Sequence, residues 1–511
     1  MSGGVSVPLG TSFAFTARGG GRNLGDVHTG GGDRLDNSYS KNLNGVAGLG
    51  YFVERATAGV AYRGFGFDYG LPAGHGHGHD EHEDEDEHQE EEAEEGGVHI
   101  EGSRHDVVGR VDFTLGQGGG AFTYLRLDGT AQRYTHDEIE PSGEIGTTFK
   151  LNTQTVNATA RTRFGRMIGA IGASGLFRQY RPEGEEALTP PATSSSGGLF
   201  VFQELLLGRD TAPDAHIPRL QLGGRYDTYR IETEPGGARF EGVGPRTRTF
   251  GSVSGSLGLN VPIGEATTVG VSVARAFRAP TVEELYSNAF HAALGSFDRG
   301  NADLEAETNQ GADAILRTQS GSVTAQLAGF YNRIDDYITP DIVKDTTIVD
   351  EHDGDVITVP LNVFAQRDAT LRGLEGQVEA RVTRRVVVGA MGDVVRGRFV
   401  GGAPIPFMPA ARVGGSLRWD DGRWSFGGTA RHAFAQDLAA EREARNEHAT
   451  DAYTVFGLDA GLTFIAAHRV HSVTLRADNV LDEEYREATS RIKEVVANPG
   501  RNVTVVYKLL F

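Results

Sequence analysis

Apolar residues recur at every second position in segment after segment of this chain. No other feature constrains the fold as tightly. In TTVGVSVARAF, Val269, Val271 and Val273 fall on one face, and Thr268, Gly270, Ser272 and Ala274 fall on the other. The final segment, RNVTVVYKLLF, gathers Val503, Val505, Tyr507, Leu509 and Phe511 on one side with Thr504 and Lys508 opposite. SVTAQLAGFYNRIDDY and HSVTLRADNVLDEEY repeat the pattern. Successive side chains of a strand point to opposite faces, whereas a helical stripe repeats every 3.6 residues. The chain therefore reads as all-β, with little helix.

A soluble sandwich would also alternate, and three features separate the two readings. One face is small and polar in every segment, tyrosine and phenylalanine gather near segment ends, and short connections such as DDGR (420–423) alternate with long polar loops. That is the pattern of a transmembrane barrel, with lipid outside and a polar lumen inside. With strands of about ten residues, 511 residues fill a transmembrane antiparallel β-barrel of about 22 strands with long extracellular loops. One barrel over residues 1–511 is the expected domain organisation. No apolar run approaches the roughly 18 residues of a spanning helix.

The formal charge is −20, but twelve acids lie within residues 74–95, and removing them leaves −8. Acidity is thus local, and no basic footprint for nucleic acid exists. The absence of cysteine excludes disulfides and thiolate metal sites. The opening MSGGVSVPLG has no signal-peptide pattern, so export would imply numbering that starts after the signal. No nucleotide loop, HExxH or GxSxG occurs, and neither an enzyme nor a bound cofactor is expected.

Residues 74–95, GHGHGHDEHEDEDEHQEEEAEE, join those acids to five histidines. Imidazole and carboxylate suit Zn²⁺, which needs four ligands. His75, His77 and His79 alternate with glycine, while His82 and His88 sit among carboxylates whose field concentrates cations. The same donors accept copper and nickel. The run is a multi-ion collector or a solvated acidic loop, since like-charge blocks are commonly unstructured. A second cluster, HDEIE, ends a strand pattern, and alternation places His136, Glu138 and Glu140 on one face.

RAFRAPTVEELYSNAFHAALGSFDRGNADLEAETN (275–309), GFYNRIDDYI, DATLRGLEGQVEA and the closing LRADNVLDEEYREATS…NPGRNVTVVYKLLF resemble, in order, the barrel of TonB-dependent outer-membrane receptors. LDNSYSKN, DYGLPAGHGHGHDEHEDEDEH and YTHDEIEPSGEIGTTFKLNT are most similar to the ZnuD-type zinc receptors. The resemblance implies an outer-membrane monomer that takes up a divalent metal ion and works with the TonB–ExbB–ExbD complex. It also implies a site in which Glu138 and His291 meet ligands from a plug domain. The family's plug and coupling box have no counterpart ahead of the barrel pattern, which leaves a passive pore as a rival expectation. A receptor for copper, nickel or a metal chelate is the other.

Overall fold

The computed structural model describes residues 1–511 except 73–96, 117–119, 185–186, 209–215, 236–239, 241–245, 292–295, 350–355, 439–446 and 494–495. One sheet of 23 strands dominates it. Two of these strands, Asn288–His291 and Ser296–Arg299, form a hairpin inside a loop. The other 21 make a continuous wall from Ser2–Leu9 to Asn502–Leu510, each antiparallel to its neighbour in chain order. That count stands beside the expected 22 or so. The only helix among the described residues is Val282–Tyr286.

Alternation sorts the wall's two faces as the sequence implies. Val271 and Val273 are exposed on the outer face, while Ser272 between them donates to Asp313 on the inner one. Val107, Leu127, Val156, Leu257 and Leu374 belong to the same outer apolar band. The inner face is laced with ion pairs. Asp106 accepts from Arg104 at 3.1 Å and from Gln132 at 3.0 Å, with Arg63 at 3.3 Å. Asp112 accepts from Arg126, and Asp227 from Arg225. Charges buried on this face need such partners. Arg278 and Arg412 pair with carboxylates in this way. Arg275 lies on the outer face instead and donates to the carbonyl of Val253.

The strands differ at their two ends. One end carries tight turns, such as the one closed by Asp421, whose carboxylate accepts from the backbone of Arg423 and Trp424 while Gly422 takes a φ of +90°. The other carries the long loops, and there Val323–Val349 and Val356–Arg381 reach 27 and 26 residues, projecting beyond the rest of the wall.

Those loops pack on each other. The loop after Phe13–Leu24 meets the one before Asn502–Leu510, where Gly30 N–H donates to Asn498 O at 3.1 Å and Gly500 N–H to His28 O at 2.8 Å. Two ends of the chain are thereby brought together, and the sheet curls around an interior. Within this loop the hydrogen bond from Arg34 holds the Asp26 carboxyl below the usual carboxylate range. A depressed carboxyl pKa stabilises above its unfolded value, so this contribution holds at neutral pH and fades as acid protonates Asp26.

Candidate functional site in the lumen mouth

The inner face near the long-loop end is lined by rings. Phe67, Tyr134, His136, Phe149 and Tyr180 come from four strands: Ala56–Gly70, Phe122–Ile139, Ile145–Phe164 and Met167–Gly184. Register brings them together, because His136 lies opposite Phe149 and Leu151 opposite both Tyr134 and Tyr180. Ring centroids are 5.9 Å apart for Phe67–Tyr134, 5.3 Å for Tyr134–His136, 4.5 Å for His136–Phe149 and 6.2 Å for Phe149–Tyr180. His136 and Phe149 are stacked within 13°. Such pairs add about 0.5–1.5 kcal/mol each beyond area burial.

A glycine makes room for this wall. Gly102 sits between Phe67 and His136, and a Cβ there would stand 2.6 Å from Phe67 Cζ and 2.7 Å from His136 Cβ. Gly102→Ala is expected to push the rings apart at a cost of about 1–3 kcal/mol. Weaker near-ultraviolet circular dichroism and a lower unfolding midpoint would register it. An unchanged aromatic signal would mean that the rings are not held as a unit.

His136 is the one imidazole of the row. Its Nε2 lies 3.9 Å from Glu138 Oε1, and its Nδ1 is buried without a hydrogen-bond partner. Alternation thus delivers His136 and Glu138 to one face, as expected. Glu140 does not follow. A bulge between Glu138 and Ile139 breaks the alternation, the strand ends at Ile139, and Glu140 is buried in the turn with its N–H on Glu144 O. Among the described residues no three histidine, aspartate or glutamate side chains converge as metal ligands. His291 ends the strand Asn288–His291, with its backbone opposite Ser296; its side chain lies outside the described residues. His75, His77, His79, His82 and His88 lie outside them as well. The strands on either side of them in the chain, Ala56–Gly70 and His99–Thr114, end and begin at the long-loop end.

Beside Tyr180, at the end of the ring row, lies the segment between Thr267–Arg278 and Glu307–Ser320. Thr281 caps Val282–Tyr286, with Glu284 N–H on Thr281 Oγ1 at 3.2 Å and Thr281 N–H on Glu284 Oε2 at 2.8 Å, a reciprocal capping box. The short helix buries Val282, Leu285 and Tyr286 against Ala192, Ile231, Phe250, Leu304 and Ile338. Each large apolar side chain so buried contributes about 1.5–3 kcal/mol. Gly300 approaches so closely that a Cβ would stand 2.4 Å from Tyr286 N. The hairpin beyond the helix runs parallel to Leu361–Val363, and Asn362 Nδ2 donates to Asp298 Oδ1 at 2.8 Å. The segment is therefore a cap pinned to two parts of the wall. Neither it nor the ring row was among the expected site features.

The fold as a whole has counterparts in known proteins. The family model for the TonB dependent receptor-like β-barrel matches residues 4–480. Among solved structures, "Copper transporter OprC" superposes with a TM-score of 0.78 at 16% identity, over 98% of this chain and 76% of that one. The FrpB iron transporter of Neisseria meningitidis (F3-3 variant) gives 0.73 at 12%, over 99% and 78%. The siderophore receptor PirA of Pseudomonas aeruginosa gives 0.68 at 14%, over 100% and 76%. With a curled antiparallel wall, an apolar outer band, a polar lumen and this match over most of its length, the chain belongs to the TonB-dependent receptor-like β-barrel family and is a protein of the bacterial outer membrane.

Proposed function

We propose that this receptor captures and imports a divalent transition-metal ion, zinc foremost, in concert with the TonB–ExbB–ExbD complex. The observation that carries the reading is the density of five histidines and twelve acids in residues 74–95. Its glycine spacing lets several imidazoles wrap one ion, and its carboxylates raise the cation concentration at the mouth. His136 and Glu138, on the lumen face, would receive ions from it. They supply two of the four ligands zinc takes, so the set is completed by His291, by water or by another segment. The similarity in fold to a copper transporter and an iron transporter supports a metal cargo.

A second reading, uptake of a metal chelate, is favoured by the row Phe67, Tyr134, Phe149 and Tyr180, whose faces suit a flat aromatic ligand.

The test is a zinc titration of the detergent-folded protein, intact and without residues 75–95, with copper and nickel as competitors. The intact protein is expected to bind several zinc ions, and the deletion one or none. Histidine must be neutral to ligate, so zinc affinity is expected to fall as pH drops through about 6.5. A single ion that survives the deletion and is lost in His136→Ala/Glu138→Gln would locate the deeper site. Zinc binding unchanged by both changes would end the metal reading and leave the chelate.

A further inference from the structure

Arginines gather on one sector of the outer face, where the strands leave the apolar band at the long-loop end. Register sets them in two rows across five neighbouring strands, Thr267–Arg278, Glu307–Ser320, Val323–Val349, Val356–Arg381 and Val386–Phe399. Arg275 lies opposite Gln310, Gln310 opposite Arg333, Arg333 opposite Thr370, and Thr370 opposite Arg398. One row closer to the tight turns, Tyr331 lies opposite Arg372, and Arg372 opposite Arg396. Alternation fixes the face. Leu374, two residues from Arg372, is exposed in the outer band, whereas Leu371 and Phe399 pack with Ala369 and Ile405 on the other side. Arg275, Arg333, Arg372, Arg396 and Arg398 are all exposed.

Their charges are not balanced. Arg333 takes the sector's two carboxylates, Asp335 at 2.9 Å and Asp368 at 3.1 Å. Arg275 and Arg398 donate to neutral oxygens, Ser252 Oγ at 3.2 Å and Gly402 O at 2.6 Å. Among the described residues no carboxylate pairs with Arg372 or Arg396. These two stand directly opposite each other, an arrangement in which like charges destabilise a sheet. Outward cations further round the wall are matched. Lys150 holds Glu183 at 2.6 Å, Arg181 holds Glu234 at 2.8 Å and Arg230 holds Glu232 at 2.9 Å. What completes the arginine sector is therefore an anion from outside the chain.

Two observations give that anion its chemistry. Strands lie about 4.8 Å apart, so the four steps from Arg275 to Arg398 span about 19 Å, too far for one phosphate to bridge. Directly beneath the arginines lie Val273, Leu327, Tyr331 and Leu374, all exposed in the apolar band. An amphiphile held by its headgroup here would lay its chains on that band. Guanidinium presents a fork that meets phosphate oxygens two at a time. We propose that this sector binds a lipid whose headgroup carries at least two phosphates. Arg372 and Arg396 clamp one phosphate between them, with Arg398 above, and Arg275 reaches the other. The site faces the bilayer and is independent of the cargo.

The test places the folded protein in phosphatidylcholine nanodiscs and titrates it with diphosphoryl lipid A, with dephosphorylated lipid A and with inorganic pyrophosphate. Diphosphoryl lipid A is expected to bind saturably, less tightly as salt rises, and to raise the unfolding midpoint. Arg372→Gln/Arg396→Gln should weaken binding at least tenfold. Without added lipid this variant should unfold no earlier than its parent, because a like-charge pair has been removed, so lost binding is distinguished from poor folding. Arg372→Lys/Arg396→Lys should keep part of the affinity, since charge remains and the fork does not. Lys150→Gln/Arg181→Gln should bind as the parent does. Equal affinity for dephosphorylated lipid A, or unchanged affinity in the double glutamine variant, would overturn the proposal and leave unspecific annular lipid. Displacement of the lipid by equimolar pyrophosphate would overturn it too, by making the ligand a free anion.

Discussion

Replacing Lys493 with methionine is expected to destabilise the loop cluster above the wall by about 3–5 kcal/mol. Lys493 and Glu447 are 1% and 2% exposed, with Nζ and Oε1 3.8 Å apart. The ammonium also donates to His448 O at 2.8 Å and Ala488 O at 3.4 Å, and it lies 5.7 Å from the centre of the Phe407 ring. Glu447 Oε1 accepts the N–H of Phe407 at 2.8 Å, while its Oε2 has no partner. Three loops therefore meet on one buried pair. Removing the lysine alone leaves a buried carboxylate without its counter-ion, which is where the cost arises. Removing both charges does not. Lys493→Met/Glu447→Leu is expected to recover most of the loss, since an apolar pair of similar volume is often neutral or better. Amide exchange at Phe407 and Thr450 measures the effect locally, while the barrel itself unfolds later. If the double variant exchanged as fast as the single one, the pair would owe its place to shape rather than charge.

Neither this pair nor the ring row could be read from the sequence, and the reasons differ. Alternation is a local property, so the outer band containing Val271 and Val273 was legible, as was the tight turn at Asp421. The inward placement of His136 and Glu138 follows from the same rule. Glu140 fails it because a bulge is an insertion in one strand relative to its partner, invisible without the partner. The ring row needs the register of several strands at once. Phe67 and Tyr134 are distant in sequence, and they stack at 5.9 Å where Gly102 leaves space on the strand between theirs. Lys493 and Glu447 sit in separate loops with no periodicity to link them. The capping box at Thr281 and Glu284 was not read from the sequence either, because a helix of five residues is stabilised by its burial rather than by propensity.

That burial makes Arg278 the second site of large effect. Its guanidinium grips two carboxylates at once, Glu284 at 2.8 and 3.0 Å and Glu307 at 2.8 Å through two nitrogens. Glu284 belongs to the cap, and Glu307 begins the wall strand that follows it. Glu307 also accepts the N–H of Ile338 at 2.7 Å, so the arginine fixes the cap to two further strands. Without it, two largely buried carboxylates repel each other where they had shared a cation. Two fifths of the arginine side chain remains exposed, which holds the cost of losing its four bonds together to what a single strong charged hydrogen bond contributes, about 2–3 kcal/mol. Arg278→Met is expected to speed amide exchange across Val282–Tyr286 by on the order of 30- to 100-fold. Arg278→Lys should recover only part of this, because one ammonium cannot present the planar fork that meets both carboxylates. The wall's own exchange should not change. Conductance in a planar bilayer tests whether the cap also obstructs the lumen, and a rise in the methionine variant is the expected result. Faster exchange with unaltered conductance would place the obstruction elsewhere in the lumen. Unaltered exchange would show that apolar contacts at Leu285 and Tyr286 hold the cap without the arginine.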